Sequence, residues 1–225
     1  METSVAIRSC APHDTEYENV CTFASSGYKK RYNIHLESYP DVFVYAHQGA
    51  TIVGCFGGYY GSIHQPLTTE WYVSRDDLSK CLNEPIERFP RKNITEIGTR
   101  VVDLPQGSGT NSVRISVAMS AALLIHLYNL SGHVALFTAD RSVGIIARQL
   151  NVNLNRLGRP NLERRDRAYR QKWQAYFEVP RECFLINLAQ ASFGCYEMLR
   201  ELEKVGFEFE SGLSTPAHSE LKTAA

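Results

Sequence analysis

The sequence predicts an α/β (α+β) protein, a mixed central sheet flanked by helices. Two observations carry that expectation. Helical periodicity between residues 16 and 39 gives way to a hairpin pattern at 42–60, and β-prone and helix-prone segments then alternate as far as residue 205. Within that alternation a strand, a loop rich in glycine, proline and serine, and a long apolar helix follow one another between residues 94 and 130. The 225 residues are 44% apolar, enough for a core and too many for a disordered chain. The length suits one large domain, expected over residues 1–209, with 210–225 as a flexible tail.

Residues 1–15 read as an irregular start. Tyr17, Val20 and Phe23, then Tyr28 and Tyr32, recur at three- and four-residue steps, the spacing of a helix face. Gly27 is expected to split this region into two helices, and Pro40 ends it. Val42, Val44 and Ala46 alternate with Phe43 and Tyr45, and Gln48-Gly49-Ala50 separates that run from residues 51–60, so the pair reads as a hairpin. Residues 68–72 are β-prone. Residues 75–81 are helical, with Ser74 placed as a cap ahead of Asp76 and Asp77. Residues 93–102 form a strand, 103–111 a loop, and 112–130 a largely buried helix that Gly132 ends. A short apolar strand (133–138) and a helix (143–150) follow. The arginine-rich stretch 151–172 reads as an exposed loop or charged helix. Residues 173–177 and 184–188 read as strands or as the start of the last helix, which covers 197–205.

Lysine plus arginine and aspartate plus glutamate number 24 each, so no general positive field draws in nucleic acid. An anionic substrate has to be held by a local feature. No window approaches the roughly 18 apolar residues of a membrane helix. The N-terminus lacks the charged-then-apolar pattern of a secretion signal, so a cytoplasmic location is expected. The six cysteines show no Cys-x-x-Cys pair and no zinc-ligand spacing; no metal is expected, and they read as reduced, buried thiols.

The unit at 94–130 is where chemistry is expected. A helix start presents unpaired N–H groups and the positive end of its dipole, and Gly107 and Gly109 let a bound group approach the backbone ahead of Thr110 and Asn111. That combination suits a phosphate or pyrophosphate. It is not a Walker A loop, because no Gly-Lys-Ser/Thr follows. Glu96 stands on the strand, and a carboxylate there must be paired or useful. Arg100, four residues on, shares its face by parity. The pair is either a structural ion pair, or a general base or ammonium anchor that Arg100 orients. Glu70 offers a second carboxylate, beside Trp71 and Tyr72, which serve core packing or a ligand. The run Arg164–Trp173 mixes arginine with aromatics but is interrupted by Asp166, which fits a solvated face better than a nucleic-acid surface.

The ordered set of segments resembles the thermostable-hemolysin family, which belongs to the structural group of the acetyltransferases and the acyl-homoserine-lactone synthases. The pieces are Tyr28–Tyr39, the hairpin 42–60, Leu67–Tyr72, Glu84–Glu87, Thr95–Arg100, Phe137–Ala139 and Trp173–Phe177. Their order and spacing over residues 28–190 carry the likeness. In the family's Leu-Glu-x-Tyr-Leu-Asp segment Glu70 and Tyr72 match, while Val73 and Ser74 depart. In its Glu-Val-Gly-Asn-Leu-Ala segment Glu96 and Gly98 match, while Thr99, Arg100 and Val101 depart. The lactone synthases carry an arginine three residues after the glutamate; Arg100 is four after it.

The resemblance implies an acetyltransferase-like fold and an N-acyltransferase that moves an acyl group from acyl-coenzyme A, or from a phosphopantetheinyl acyl carrier protein, to a small amine or amino acid derivative. No permanently bound cofactor is expected. Glu96 and Arg100 are the expected catalytic residues. Val101, Val102, Leu104, Gly107, Gly109, Thr110 and Asn111 are expected to hold the donor. Tyr32, Glu70, Trp71, Tyr72, Thr99, Thr138 and Trp173 are expected around the acceptor. The basic segment 156–172 is a place where an acidic carrier protein could dock. Two other classes are a non-catalytic ligand-binding or scaffold module on the same fold, and a membrane-active protein of the kind the family name implies. Direct lysis is not expected, since the sequence holds no amphipathic lytic helix of note.

Overall fold

The computed structural model describes residues 4–104 and 112–213. The segment expected to cradle phosphates, with Gly107, Gly109, Thr110 and Asn111, lies outside the described residues.

The chain begins with strand β1 (Val5–Cys10), where the sequence reads as an irregular start. Helix α1 (Tyr17–Tyr32) follows. The hairpin is β2 (Val42–Gln48) and β3 (Thr51–Tyr60). Helices α2 (Thr68–Tyr72) and α3 (Arg75–Leu82) lead to β4 (Ile94–Val102). Then come α4 (Ser112–Asn129), β5 (Val134–Ala139) and α5 (Val143–Gln149). Strand β6 (Asn155–Gly158), α6 (Arg167–Lys172) and α7 (Gln174–Phe177) occupy the arginine-rich region and its aromatic end. The chain closes through β7 (Glu182–Asn187), α8 (Leu188–Glu203) and β8 (Phe207–Phe209).

The strands form one mixed sheet in the order β6-β7-β5-β4-β3-β2-β1-β8. On one face α4 and α8 cover Val42, Val44 and Ala46 of β2 together with Ala135 and Phe137 of β5. On the other, α1 covers Phe43, Tyr45 and Cys55. On that same side the segment 67–86, with α6 and α7, covers Leu136, Leu157, Cys183 and Leu185. The sheet is therefore buried on both faces, as the alternation in β2 requires. A cavity opens over β4, where the α1 layer meets the layer of α2, α6 and α7.

Gly27 does not break α1, which runs unbroken through it. The glycine serves a close approach: a Cβ there would stand 2.4 Å from Val101 Cγ1 of β4. The β-prone stretch 68–72 is helical instead. Its free N-terminal N–H groups are taken by two carboxylates, Glu70 accepting from Leu67 N (2.7 Å) and Glu96 accepting from Thr68 N and Thr69 N (2.6 and 2.9 Å). Ser74 caps α3 as expected, accepting from Asp77 N. Residues 174–177 are helical where a strand or the start of the last helix was expected, and α8 starts at Leu188, nine residues before the charged stretch that signals it. The boundary expected at 209/210 runs through packed chain: the Glu210 carboxylate accepts from Ser9 N and Oγ, and Leu213 is buried.

Strands β4 and β5 run parallel and pair from Ile94–Val134 to Ile97–Phe137, then stop. Beyond that point β4 continues with β3 to Val102 and β5 with β7 to Ala139, so the two facing edges part. At the parting β4 carries a bulge. Thr99 and Arg100 together oppose the single Phe56 of β3, and Thr99 adopts φ 46°. A bulge of this kind bends a strand and re-aims its side chains.

Candidate functional site

The cavity over β4 measures about 490 Å³. Its floor is β4 from Glu96 to Arg100, and Thr138 of β5 closes one side. Trp71 and Tyr72 of α2 face Tyr28 of α1 across it, and Tyr169, Trp173 and Tyr176 complete an aromatic wall. The rings touch in series: Tyr169 stacks on Trp173 at 5.8 Å, Trp173 meets Tyr176 edge-on at 5.5 Å, and Tyr176 meets Tyr32 edge-on at 5.2 Å. Such contacts fix ring orientation and exclude water from one side of the cavity.

Glu96 is 6% exposed and accepts three hydrogen bonds: Thr68 N to one oxygen, Thr69 N and Thr69 Oγ1 to the other. Burial pushes its carboxyl up to about 7; the three donors and the nearby Glu70 charge modulate that rise without cancelling it. A carboxyl near neutrality in a cavity is suited to proton transfer. Arg100 is not its partner, and the two form no ion pair among the described residues. The Arg100 guanidinium instead reaches across the parted strands to the Thr138 carbonyl, 3.2 Å away. The bulge between the two residues interrupts the alternation from which a shared face was expected.

The structure brings Glu96, Thr99, Arg100, Trp71, Tyr72, Thr138 and Trp173 to this one cavity. Thr99 Oγ1 bonds the Tyr59 hydroxyl at 2.7 Å. Thr138 Oγ1 lies 3.4 Å from Thr69 Oγ1 and 3.5 Å from Cys183 Sγ. Cys183 is no nucleophile by these surroundings, since burial pushes its thiol up to about 12. Glu70 lies elsewhere. It is held by Arg91 in a bidentate pair (2.5 and 2.6 Å) and faces a neighbouring pocket of about 620 Å³, so its work is to fix α2. Tyr32, Val101 and Val102 line an adjoining pocket of about 330 Å³, which Arg100 shares. Leu104 packs against the main core.

Sequence reading did not place Tyr28, Thr69, Tyr176 or Arg181 at a site, and it took Arg165 and Tyr169 only as part of an exposed basic run that could dock a carrier protein. For Tyr169 and Trp173 a signal existed, a four-residue step along α6 and its C-terminal end, whereas Arg165 lies in extended chain just before that helix. Arg181, 6% exposed at the edge of β7, donates to the Tyr176 carbonyl and the Tyr32 hydroxyl, stacks on the Tyr176 ring at 3.6 Å and pairs with Asp140 at 3.6 Å. Burial would raise the Asp140 carboxyl, but hydrogen bonds from Ser142 and the arginine charges outweigh it and hold it below the usual range.

On the far side of the strand gap a small apolar recess of about 40 Å³ opens among Ile97, Leu124, Phe137, Ile146 and Leu150, with Arg100 at its edge. A mixed central sheet flanked by helices, with two parallel strands that part, fits the acetyltransferase-like fold expected from the sequence. Solved structures bear this out at the level of fold. The chain is similar to BjaI, described as a coenzyme-A-dependent acyl-homoserine lactone synthase solved with SAM and isopentyl-CoA (11% identity, TM-score 0.59, covering 93% of this chain and 97% of that one). It is also similar to FeeM, an N-acyl amino acid synthase from uncultured soil microbes (8%, 0.52, 82% and 92%), and to the acyl-homoserine lactone synthase LasI (11%, 0.51, 82% and 89%). No curated protein matches the chain by sequence. The thermostable hemolysin family model matches residues 10–192, and the chain belongs to that family. Among the described residues no helix is long and apolar enough to cross a membrane.

Proposed function

We propose that this protein is an N-acyltransferase that moves an acyl group from a thioester donor to a small amine or amino acid derivative. The observation that carries the reading is Glu96: a buried carboxyl raised to about 7, beside the point where β4 and β5 part. The donor's pantetheine arm lies along the open edge of β4 at Val101 to Leu104, and its acyl chain enters the recess beside Ile97 and Phe137. Backbone N–H groups near Val101–Val102 and the Arg100 guanidinium supply positive charge at the thioester carbonyl. The amine's lone pair attacks that carbonyl carbon, the C–S bond breaks, and the sulfur leaves as thiolate and takes up a proton. Glu96, directly or through one water, accepts the proton the amine gives up. No covalent enzyme intermediate is needed when both substrates are held side by side. The donor is acyl-coenzyme A or a carrier-protein thioester, a reading that the likeness to a coenzyme-A-dependent synthase supports.

The test is incubation with a panel of acyl-coenzyme A and acyl-carrier donors and amine acceptors, read by mass spectrometry for the acylated product. Glu96→Gln should lower kcat/KM by about a hundredfold or more. Undiminished activity in that variant would remove Glu96 from the chemistry. Tight donor binding with no transfer to any acceptor would favour a ligand-binding module on this fold.

A further inference from the structure

The cavity holds three cationic side chains, and two of them are occupied. Lys172 pairs with Glu37 at 2.7 Å, and Arg100 donates to the Thr138 carbonyl. Arg165 lies against aromatic rings. Its guanidinium lies 3.9 Å from the Tyr169 ring centroid and 5.1 Å from that of Trp71. Its Nε is buried and lacks a hydrogen-bond partner, and no carboxylate pairs with it among the described residues. The side chain is nonetheless held in place. On one side Arg164 donates to the Val73 carbonyl, and on the other Asp166 caps α6 by accepting from Tyr169 N at 2.7 Å. These two bonds fix the chain on either side of Arg165, within the stretch where a carrier-docking role was expected.

A guanidinium stacked on rings keeps its in-plane N–H fork available, and that fork matches a carboxylate in bidentate fashion. Arg165 is half-buried at the cavity wall, and a buried donor atom such as its Nε is costly to leave unpaired unless a ligand completes it. Trp71 and Tyr169, which hold Arg165, belong to α2 and α6. Neither helix contributes to the recess or to the Val101–Val102 pocket assigned to the donor. The anion that Arg165 awaits is therefore on the acceptor. We propose that the acceptor is an α-amino acid with a free carboxylate, which Arg165 clamps between Trp71 and Tyr169 while the amine faces Glu96. The inference rests on the acyl-transfer reading above, and it gives Arg165 the role of selecting the acceptor.

The experiment compares free L-amino acids (aliphatic, aromatic and acidic) with their C-terminal carboxamides, in the wild-type protein, Arg165→Gln and Arg165→Lys. The carboxamide's amine is less basic and more available at neutral pH, so simple reactivity favours it. Wild type should nevertheless prefer the free acid by about tenfold or more in kcat/KM, the scale of a charge-assisted hydrogen-bonded pair. Arg165→Gln should raise KM for the acid by a similar factor, leave the donor's KM unchanged and bring the acid-to-amide ratio near one. Arg165→Lys, which keeps the charge without the fork, should fall between. The ratio is taken within one protein, so a partial loss of folded material cannot create it. Equal use of acid and amide by wild type would overturn the proposal. So would a rise in donor KM with the ratio intact, which would place the donor's phosphates at Arg165. Equilibrium binding of the same acids and amides to wild type and Arg165→Gln, by calorimetry, separates this inference from the reaction. Discrimination in binding without acyl transfer would sink the transferase reading and leave the carboxylate site standing; transfer without discrimination would do the reverse.

Discussion

Glu96 sits between opposing forces. Burial favours its acid form, three donors favour its carboxylate, and the outcome lies near neutrality. The sign of the pH dependence follows: a base must be ionised to accept a proton, so activity is lost as pH falls through about 7. We predict that kcat/KM rises with pH to a shoulder above about 7, with a later limb from the amine's own deprotonation. In Glu96→Gln the first limb should be absent. A wild-type pH–rate profile flat between about pH 5.5 and 8 would contradict the assignment. The residue itself was legible in the sequence, since a carboxylate in an apolar strand demands an explanation. Its partners were not. A face shared with Arg100 requires a regular strand, and Thr99 at φ 46° breaks that regularity directly after Gly98, the one residue in the strand that announces a bulge. The true partners, Thr68 and Thr69, lie in a segment whose threonines and aromatics read as β-prone. That segment folds as a helix only because two carboxylates, one from a distant strand, satisfy its first N–H groups.

At the level of elements, periodic segments could be read and contact-dependent ones could not. The hairpin, β4, α4 and β5 follow from apolar spacing. Gly27 misled because glycine is both a helix breaker and a site of close approach, and only the partner strand decides between them. That partner is Val101, expected to contact the donor, so α1 and the open edge of β4 are mechanically linked. Gly27→Ala tests the link. Alanine in a helix gains up to about 1 kcal/mol over glycine. Overpacking against a β-branched side chain at 2.4 Å costs about 1–3 kcal/mol. The second effect should win, giving a net loss of about 1 kcal/mol in urea unfolding. Displacement of Val101 should also raise the donor's KM while leaving the acceptor's unchanged. A stabilised variant with unaltered donor affinity would show that α1 and β4 adjust independently.

Across the whole molecule, the sheet joins the first and last described strands. Strand β1 lies between β2 and β8, pairing antiparallel with the first and parallel with the second, and Glu210 ties the end of β1 to the segment after β8. None of these residues lines the cavity over β4. Composition alone could not reveal this closure. Serine, threonine and proline after residue 210 suggest a tail, and a three-residue strand leaves almost no periodic signal. These packed segments therefore concern stability, while the proposed chemistry belongs to the cavity at the middle of the sheet. Leu213 separates the two roles. It is 1% exposed and packs into the main core beside Leu202 and Phe207. Leu213→Ala should lower the unfolding free energy by about 2–4 kcal/mol, through lost burial and the cavity left behind. At a temperature where the variant remains folded, its kcat/KM should match wild type, because Leu213 lines neither the cavity over β4 nor the pockets assigned to the donor. Chemical denaturation and steady-state kinetics on the same preparation check both halves. A small change in stability would mean that the core closes without the C-terminal segment. A lost kcat/KM in a fully folded variant would mean that the ends of the chain reach the cavity through the sheet.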